Sequence, residues 1–137
     1  MLTEKDYCDY ETCVALKKLG YNEKTLAYYT SEGFFHWVRA YIYDVAIPDL
    51  ANSSNKKPYK HIIDAMSLYE AQKWLREEKH LHIEVRWYSN MWYEYEVKEA
   101  EGKVIAEGCA FPTYEEALST AVRMAVESLK ENEDGWM

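Results

Sequence analysis

The residues best suited to chemistry lie in HLHIEVRW, positions 80–87, where His80, His82 and Glu84 recur at every second position. In a strand that period sends all three side chains to one face. Imidazole nitrogen and carboxylate oxygen are both acceptable zinc donors. Glu96, downstream in WYEYEVK, can reach the same face from a neighbouring strand. His80, His82, Glu84 and Glu96 are therefore the candidate metal or small-ligand site. The competing reading is a solvated sheet face, because alternating histidines are common and no further His is fixed nearby. That reading carries more weight.

The same even-numbered face continues through Arg86, Tyr88 and Trp92. Arg86 is expected to stack on Trp92, His82 to meet Glu96, and Glu84 to oppose Glu94. A face carrying two large rings and two histidines is too apolar to stay bare. Tyr88, Trp92, Arg86 and His82 thus form the candidate interaction surface, to be covered by residues 1–45, by a second copy of the chain or by another protein.

Other chemistry is thinly represented. Cys8 and Cys13 lack the tighter spacing of a structural zinc knuckle, Cys109 has no local base, and all three cysteines read as buried spectators. No glycine-rich phosphate loop, serine elbow or acidic metal triad stands out. No cofactor is implied, and the reading leans away from catalysis.

The elements that must position these residues are legible from alternation and capping. Leu81, Ile83, Val85 and Trp87 alternate in one strand, Met91, Tyr93, Tyr95 and Val97 in the next. A three-residue loop, Tyr88-Ser89-Asn90 with Asn90 left-handed, puts both sets on one face and pairs Trp87 with Met91, Val85 with Tyr93 and Ile83 with Tyr95. A third strand, KVIAEGCA, is expected to set Ala106 across from Val97 and Gly108 across from Tyr95, small residues against large ones. Ser67 with Glu70, and Thr113 with Glu116, each read as a capping box opening a helix. The second of these carries an apolar stripe through Tyr114, Leu118, Ala121, Ala125 and Leu129. Earlier, Asp9 caps a helix that stops at Gly20, with Tyr21 folding back on Leu16. Residues 25–30 and 34–38 flank Ser31-Glu32-Gly33 as a hairpin.

The fold expected is α+β: an α-β-β-β-α core with a three-stranded antiparallel sheet and two helices on one face, plus an N-terminal helix and β-hairpin. Residues 1–46 form the N-terminal part, 47–62 a loop or linker, and 63–137 the core domain. At 137 residues, with 48% hydrophobic and 15% aromatic content, the chain can bury a core.

Sixteen Lys+Arg against twenty-four Asp+Glu leave a formal charge of −8. That balance disfavours direct basic readout of nucleic acid, which needs cations to release phosphate counterions, and an anionic membrane surface. No secretory leader or spanning run is apparent, and the cytoplasm is the expected compartment. The acidity, with Glu131, Glu133 and Asp134 near the end, raises an alternative: a nucleic-acid-mimicking decoy of a host DNA-binding protein. A decoy needs a spaced, one-sided array of carboxylates.

Two resemblances bear on function. The order α-β-β-β-α resembles the double-stranded RNA-binding domain, a family that grips phosphate with lysines at the start of its last helix; Thr113, Tyr114, Glu115 and Glu116 stand there instead. DAMSLYEAQKWLREEKHLHI (64–83), TYEEAL (113–118), DYETCVALKKLGYNE and AYYTSEG are similar to a family of short proteins without assigned activity, met in prophage or other mobile regions of gut Bacteroides-type bacteria. The resemblance implies a phage-associated, non-catalytic protein acting through protein–protein interaction, and it carries over no site residue.

Overall fold

The computed structural model describes residues 2–38, 40–42, 45–47, 62–89 and 92–134. Among them are three α-helices, two three-stranded antiparallel sheets and a separate two-stranded ribbon, an α+β architecture. The chain divides into two compact units, Tyr7–Met66 and Met1–Asp6 with Ser67–Met137.

In the first unit, helix α1 (Tyr10–Lys18) starts where the Asp9 carboxylate accepts the Thr12 amide at 2.8 Å. It stops because Gly20 takes φ 116°, which lets the Tyr21 amide reach the Leu16 carbonyl and the Gly20 amide that of Lys17. Leu16 and Tyr21 are buried, as the hydrophobic contact of a Schellman ending requires. Strands β1 (Ala27–Thr30) and β2 (Phe35–Trp37) form the expected hairpin, with Gly33 at φ 90°. Tyr7, Tyr29, Phe35 and Trp37 pack edge to face, and the Tyr29 hydroxyl donates to the Cys8 carbonyl at 2.7 Å.

Three elements of this unit have no counterpart in the sequence expectation. Strands β3 (Ala40–Ile42) and β4 (Val45–Ile47) pair as a ribbon. Strand β5 (Ile62–Ala65) joins β1 on the side away from β2. Its sequence, Ile62-Ile63-Asp64-Ala65, does not alternate apolar and polar residues, so the pattern does not mark it as a half-buried strand; β5 exists through its long-range pairing. Most of the expected 47–62 loop lies outside the described residues.

The second unit builds the sheet that carries the candidate residues. Helix α2 (Leu68–Lys79) opens on a complete capping box: the Ser67 hydroxyl accepts the Glu70 amide, and the Glu70 carboxylate accepts the Ser67 amide. No glycine follows it, so His80 takes the left-handed position itself, at φ 58°, and the Leu81 amide reaches the Leu75 carbonyl. His80 therefore ends a helix and does not belong to the strand face on which it was expected. Strands β6 (His82–Ser89), β7 (Trp92–Lys98) and β8 (Val104–Phe111) follow as an antiparallel meander.

Helix α3 (Tyr114–Asp134) packs against all three strands and against α2. Its buried stripe is double: Ala117/Leu118, Ala121/Val122 and Ala125/Val126. The alanines at four-residue spacing allow close approach, while Leu118 and Val122 fill the space between. At its start the Thr113 hydroxyl accepts the Glu116 amide and donates to the Glu116 carboxylate.

The face that is odd-numbered along β6 and β7 is the buried one, as alternation required: Leu81, Ile83, Tyr95 and Val97 are all buried. Gly108 lies across from Tyr95 and Ala106 across from Val97, as expected. The β6–β7 register differs by two residues from the expectation: Ile83 pairs with Val97, Val85 with Tyr95 and Trp87 with Tyr93. A shift of two leaves every side chain on its own face, so the apolar pattern cannot detect it. Tyr88 and Ser89 belong to β6 instead of the loop, with a register irregularity between Trp87 and Ser89. Asn90 and Met91, for which a left-handed turn and a pairing were expected, lie outside the described residues. Trp87 is the apolar exception, 62% exposed. Its partner Tyr93 touches Tyr114, the first residue of α3, so the edge strand at that level extends beyond the helical cover.

Candidate functional site

The open face of the sheet, even-numbered in β6 and β7 and odd-numbered in β8, gathers the charged and aromatic residues that sequence reasoning singled out. With the register as found, His82 stands opposite Lys98, Glu84 opposite Glu96 and Arg86 opposite Glu94. The expected pairings of His82 with Glu96, Glu84 with Glu94 and Arg86 with Trp92 are all displaced by that two-residue shift.

Arg86 consequently does not lie on a Trp92 ring; its guanidinium organises the carboxylates. Its Nη2 meets Glu96 at 2.6 Å, its Nη1 meets Glu84 at 3.0 Å and its Nε meets Glu94 at 3.3 Å. Lys98 approaches Glu84 and Glu96 at 3.5 and 3.8 Å. Two glutamates facing each other across a strand pair are unfavourable, and these two cations relieve Glu84 and Glu96. The hydrogen bond from Arg86 holds the Glu96 carboxyl below its ordinary range, and the same bond raises the Arg86 guanidinium.

The aromatic part lies at the hairpin end. Tyr88 and Trp92 are 42% and 40% exposed. The Tyr88 hydroxyl is pushed up, first by desolvation and then by the neighbouring Cys109. Cys109 is exposed, contrary to its expected burial, whereas Cys8 and Cys13 are buried. Cys109 and Ala110 together oppose Glu94, because the register slips there. This bulge is completed by Ala110 in the left-handed region at φ 72°. Extra residues on one strand bend it and re-aim its side chains; Cys109 keeps the face that alternation from Gly108 and Glu107 assigns it, the open one. Arg86, Glu94, Glu96, Glu107, Gly108 and Cys109 border an open depression of about 430 Å³.

Of the four metal candidates the structure brings together Glu84 and Glu96, but not the two histidines with them as a cluster. His80 is the helix cap, His82 faces Lys98, and Glu84 and Glu96 are occupied by Arg86 and Lys98. Among the described residues no group of three His, Cys, Asp or Glu side chains could hold a metal ion. Glu107 is the member of this face that the sequence reading passed over. The signal was available: pairing Val97 with Ala106 places Glu107 beside Glu96.

The edges of the sheet are blunted. Gln72 donates to the Ile83 carbonyl on edge strand β6 at 3.0 Å, and irregularities interrupt β8 near both ends. Such features discourage further strand pairing, so the face, more than an edge, is the accessible feature. At the start of α3 stand Glu115 and Glu116, where the RNA-binding domain would have lysines. No helix among the described residues is long and apolar enough to cross a membrane. No protein-family model matches the chain, and no curated protein or solved structure matches it.

Proposed function

We propose that this is a phage-associated, non-catalytic protein that acts by binding another protein through the open face of β6, β7 and β8. The observation that carries the reading is the exposure of Trp92, Tyr88 and Arg86 on neighbouring strands β6 and β7. Large rings and arginine are the residue types that dominate the energetics of protein interfaces. Burying the exposed parts of two such rings releases apolar area worth about 25 cal/mol per Å² before association costs are met. The edge protection described above favours a face contact over strand addition.

The decoy reading draws less support from this surface, because Arg86 and Lys98 sit among its carboxylates and break the one-sided array that mimicry needs. Metal or small-ligand binding at His80 and His82 loses its geometric basis once His80 is a helix cap.

The test is co-purification from the native source with the wild-type chain and with a Tyr88→Ala/Trp92→Ala variant. A protein recovered with the first and lost with the second, at unchanged melting temperature, supports the reading. The same proteins recovered with both would refute it.

A further inference from the structure

Three large rings stand at one end of the β6–β7 pair, and they do not share a face. Trp87 lies opposite Tyr93, on the side where Tyr93 touches Tyr114 of α3, yet it is mostly exposed. Trp92 follows the opposite parity and Tyr88 reaches Cys109, so both occupy the open face, and both are exposed. Charge stops at the Arg86–Glu94 pair, which is held at 3.3 Å. From Trp87 to Tyr93 no residue is charged, in a chain where 29% of residues are. A solvated strand end has no need of such a composition, whereas the centre of a protein interface, depleted in charge and rich in rings, does.

We infer that the partner protein grips this end of β6 and β7 from both sides, in a cleft with apolar walls, Trp87 against one wall and Trp92 with Tyr88 against the other. The inference rests on the reading of the open face as the interaction surface and extends it around the strand ends. Shape selects the cleft: a flat surface laid on either face leaves the rings of the other in water. Area excludes a second copy. A ring of this size buries about 150–250 Å² when fully covered, so the exposed parts of the three come to roughly 350 Å². Two copies meeting end to end would cover about 700 Å², short of the about 1,200 Å² at which stable interfaces begin. An anionic bilayer is disfavoured because Glu84, Glu94, Glu96 and Glu107 share a face with Trp92 and would be drawn to its surface with it.

The experiment places p-benzoylphenylalanine at Trp87 or, separately, at Trp92 of the full-length chain. Each protein, with its melting temperature unchanged, is irradiated in extract of the native source and its adducts are sequenced by mass spectrometry. The same probe at Glu127, exposed on α3, is the control. Both tryptophan positions should join one polypeptide, at apolar residues in two separate segments of it, and the Glu127 position should not join it. As a competitor of the Trp92 adduct, unlabelled Trp87→Ser should be about tenfold weaker than the unlabelled wild-type chain, as loss of a central interface ring is. Met124→Ser, at an exposed apolar position of α3, should compete as well as wild type. Adducts to different polypeptides, to a second copy or to phospholipid would overturn the inference, as would equal competition by Trp87→Ser and wild type. An adduct from Trp92 with none from Trp87 leaves the open face as the interaction surface and removes only the two-sided grip; no adduct from either position removes both.

Discussion

Gly108 offers the sharpest test of how the sheet is packed beneath its helix. It lies directly across from Tyr95, which is buried. A β-carbon built on Gly108 would sit 2.8 Å from Tyr95 Cε1, 3.2 Å from Cζ and 3.3 Å from the hydroxyl oxygen. The first distance is well inside carbon–carbon contact at about 3.5–4.0 Å, and the ring cannot retreat freely under α3. Gly108→Ala should therefore cost about 1–3 kcal/mol as an overpacking substitution. For a cooperative unit of about 60–100 residues, each kcal/mol lowers the melting temperature by about 4–8 °C, so a drop on the order of 10 °C is expected by circular dichroism. The control is the same substitution beside Tyr95→Leu, which removes all three clashing atoms. There the alanine should cost nothing, or add about 0.4–1 kcal/mol by restricting the unfolded chain. A wild-type background that tolerates Gly108→Ala without loss would refute the packing reasoning, as would a loss that persists beside Leu.

Ala110 holds a left-handed backbone without being glycine, so Ala110→Gly should raise stability by about 1 kcal/mol, measurable by urea unfolding; a destabilised variant would mean that the bulge gains nothing from glycine. Glu96 should titrate below exposed glutamates in carboxyl carbon NMR, and Arg86→Gln should return it toward the ordinary value. Its folded carboxyl is depressed, so its contribution to stability is present above the unfolded glutamate value near about 4.3 and is lost as pH falls through the folded one. An acid-unfolding curve unchanged by Arg86→Gln would contradict that linkage.

What could be read beforehand depended on whether a local pattern forced the outcome. Burial of Ile83, Tyr95 and Val97 was legible because a one-residue slip would put Glu96 under the helix, and the Tyr95–Gly108 pairing because large must meet small. The caps at Asp9 and Ser67 were legible because short polar side chains there satisfy the first free amides. The β6–β7 register was not, since a two-residue shift preserves both faces, and the partners of His82, Glu84 and Arg86 were displaced with it. His80 escaped because a strand start and a left-handed helix end look alike when no glycine marks the boundary. Cys109 escaped because an unpaired thiol was taken as buried, although the Gly108–Tyr95 pairing already sends its side chain to the open face with Glu107. Of the candidate site, the face was legible and its wiring was not.

The central claim is that this open face meets the partner, and Cys109 reports on it without any substitution. The chain has three cysteines, of which Cys8 and Cys13 are buried and Cys109 is exposed beside Glu107. Maleimide labelling of the folded protein should modify Cys109 alone at first, and labelling of the complex recovered from the native source should slow that reaction severalfold. Equal reactivity of Cys109 with and without the bound partner would place the contact elsewhere on the molecule.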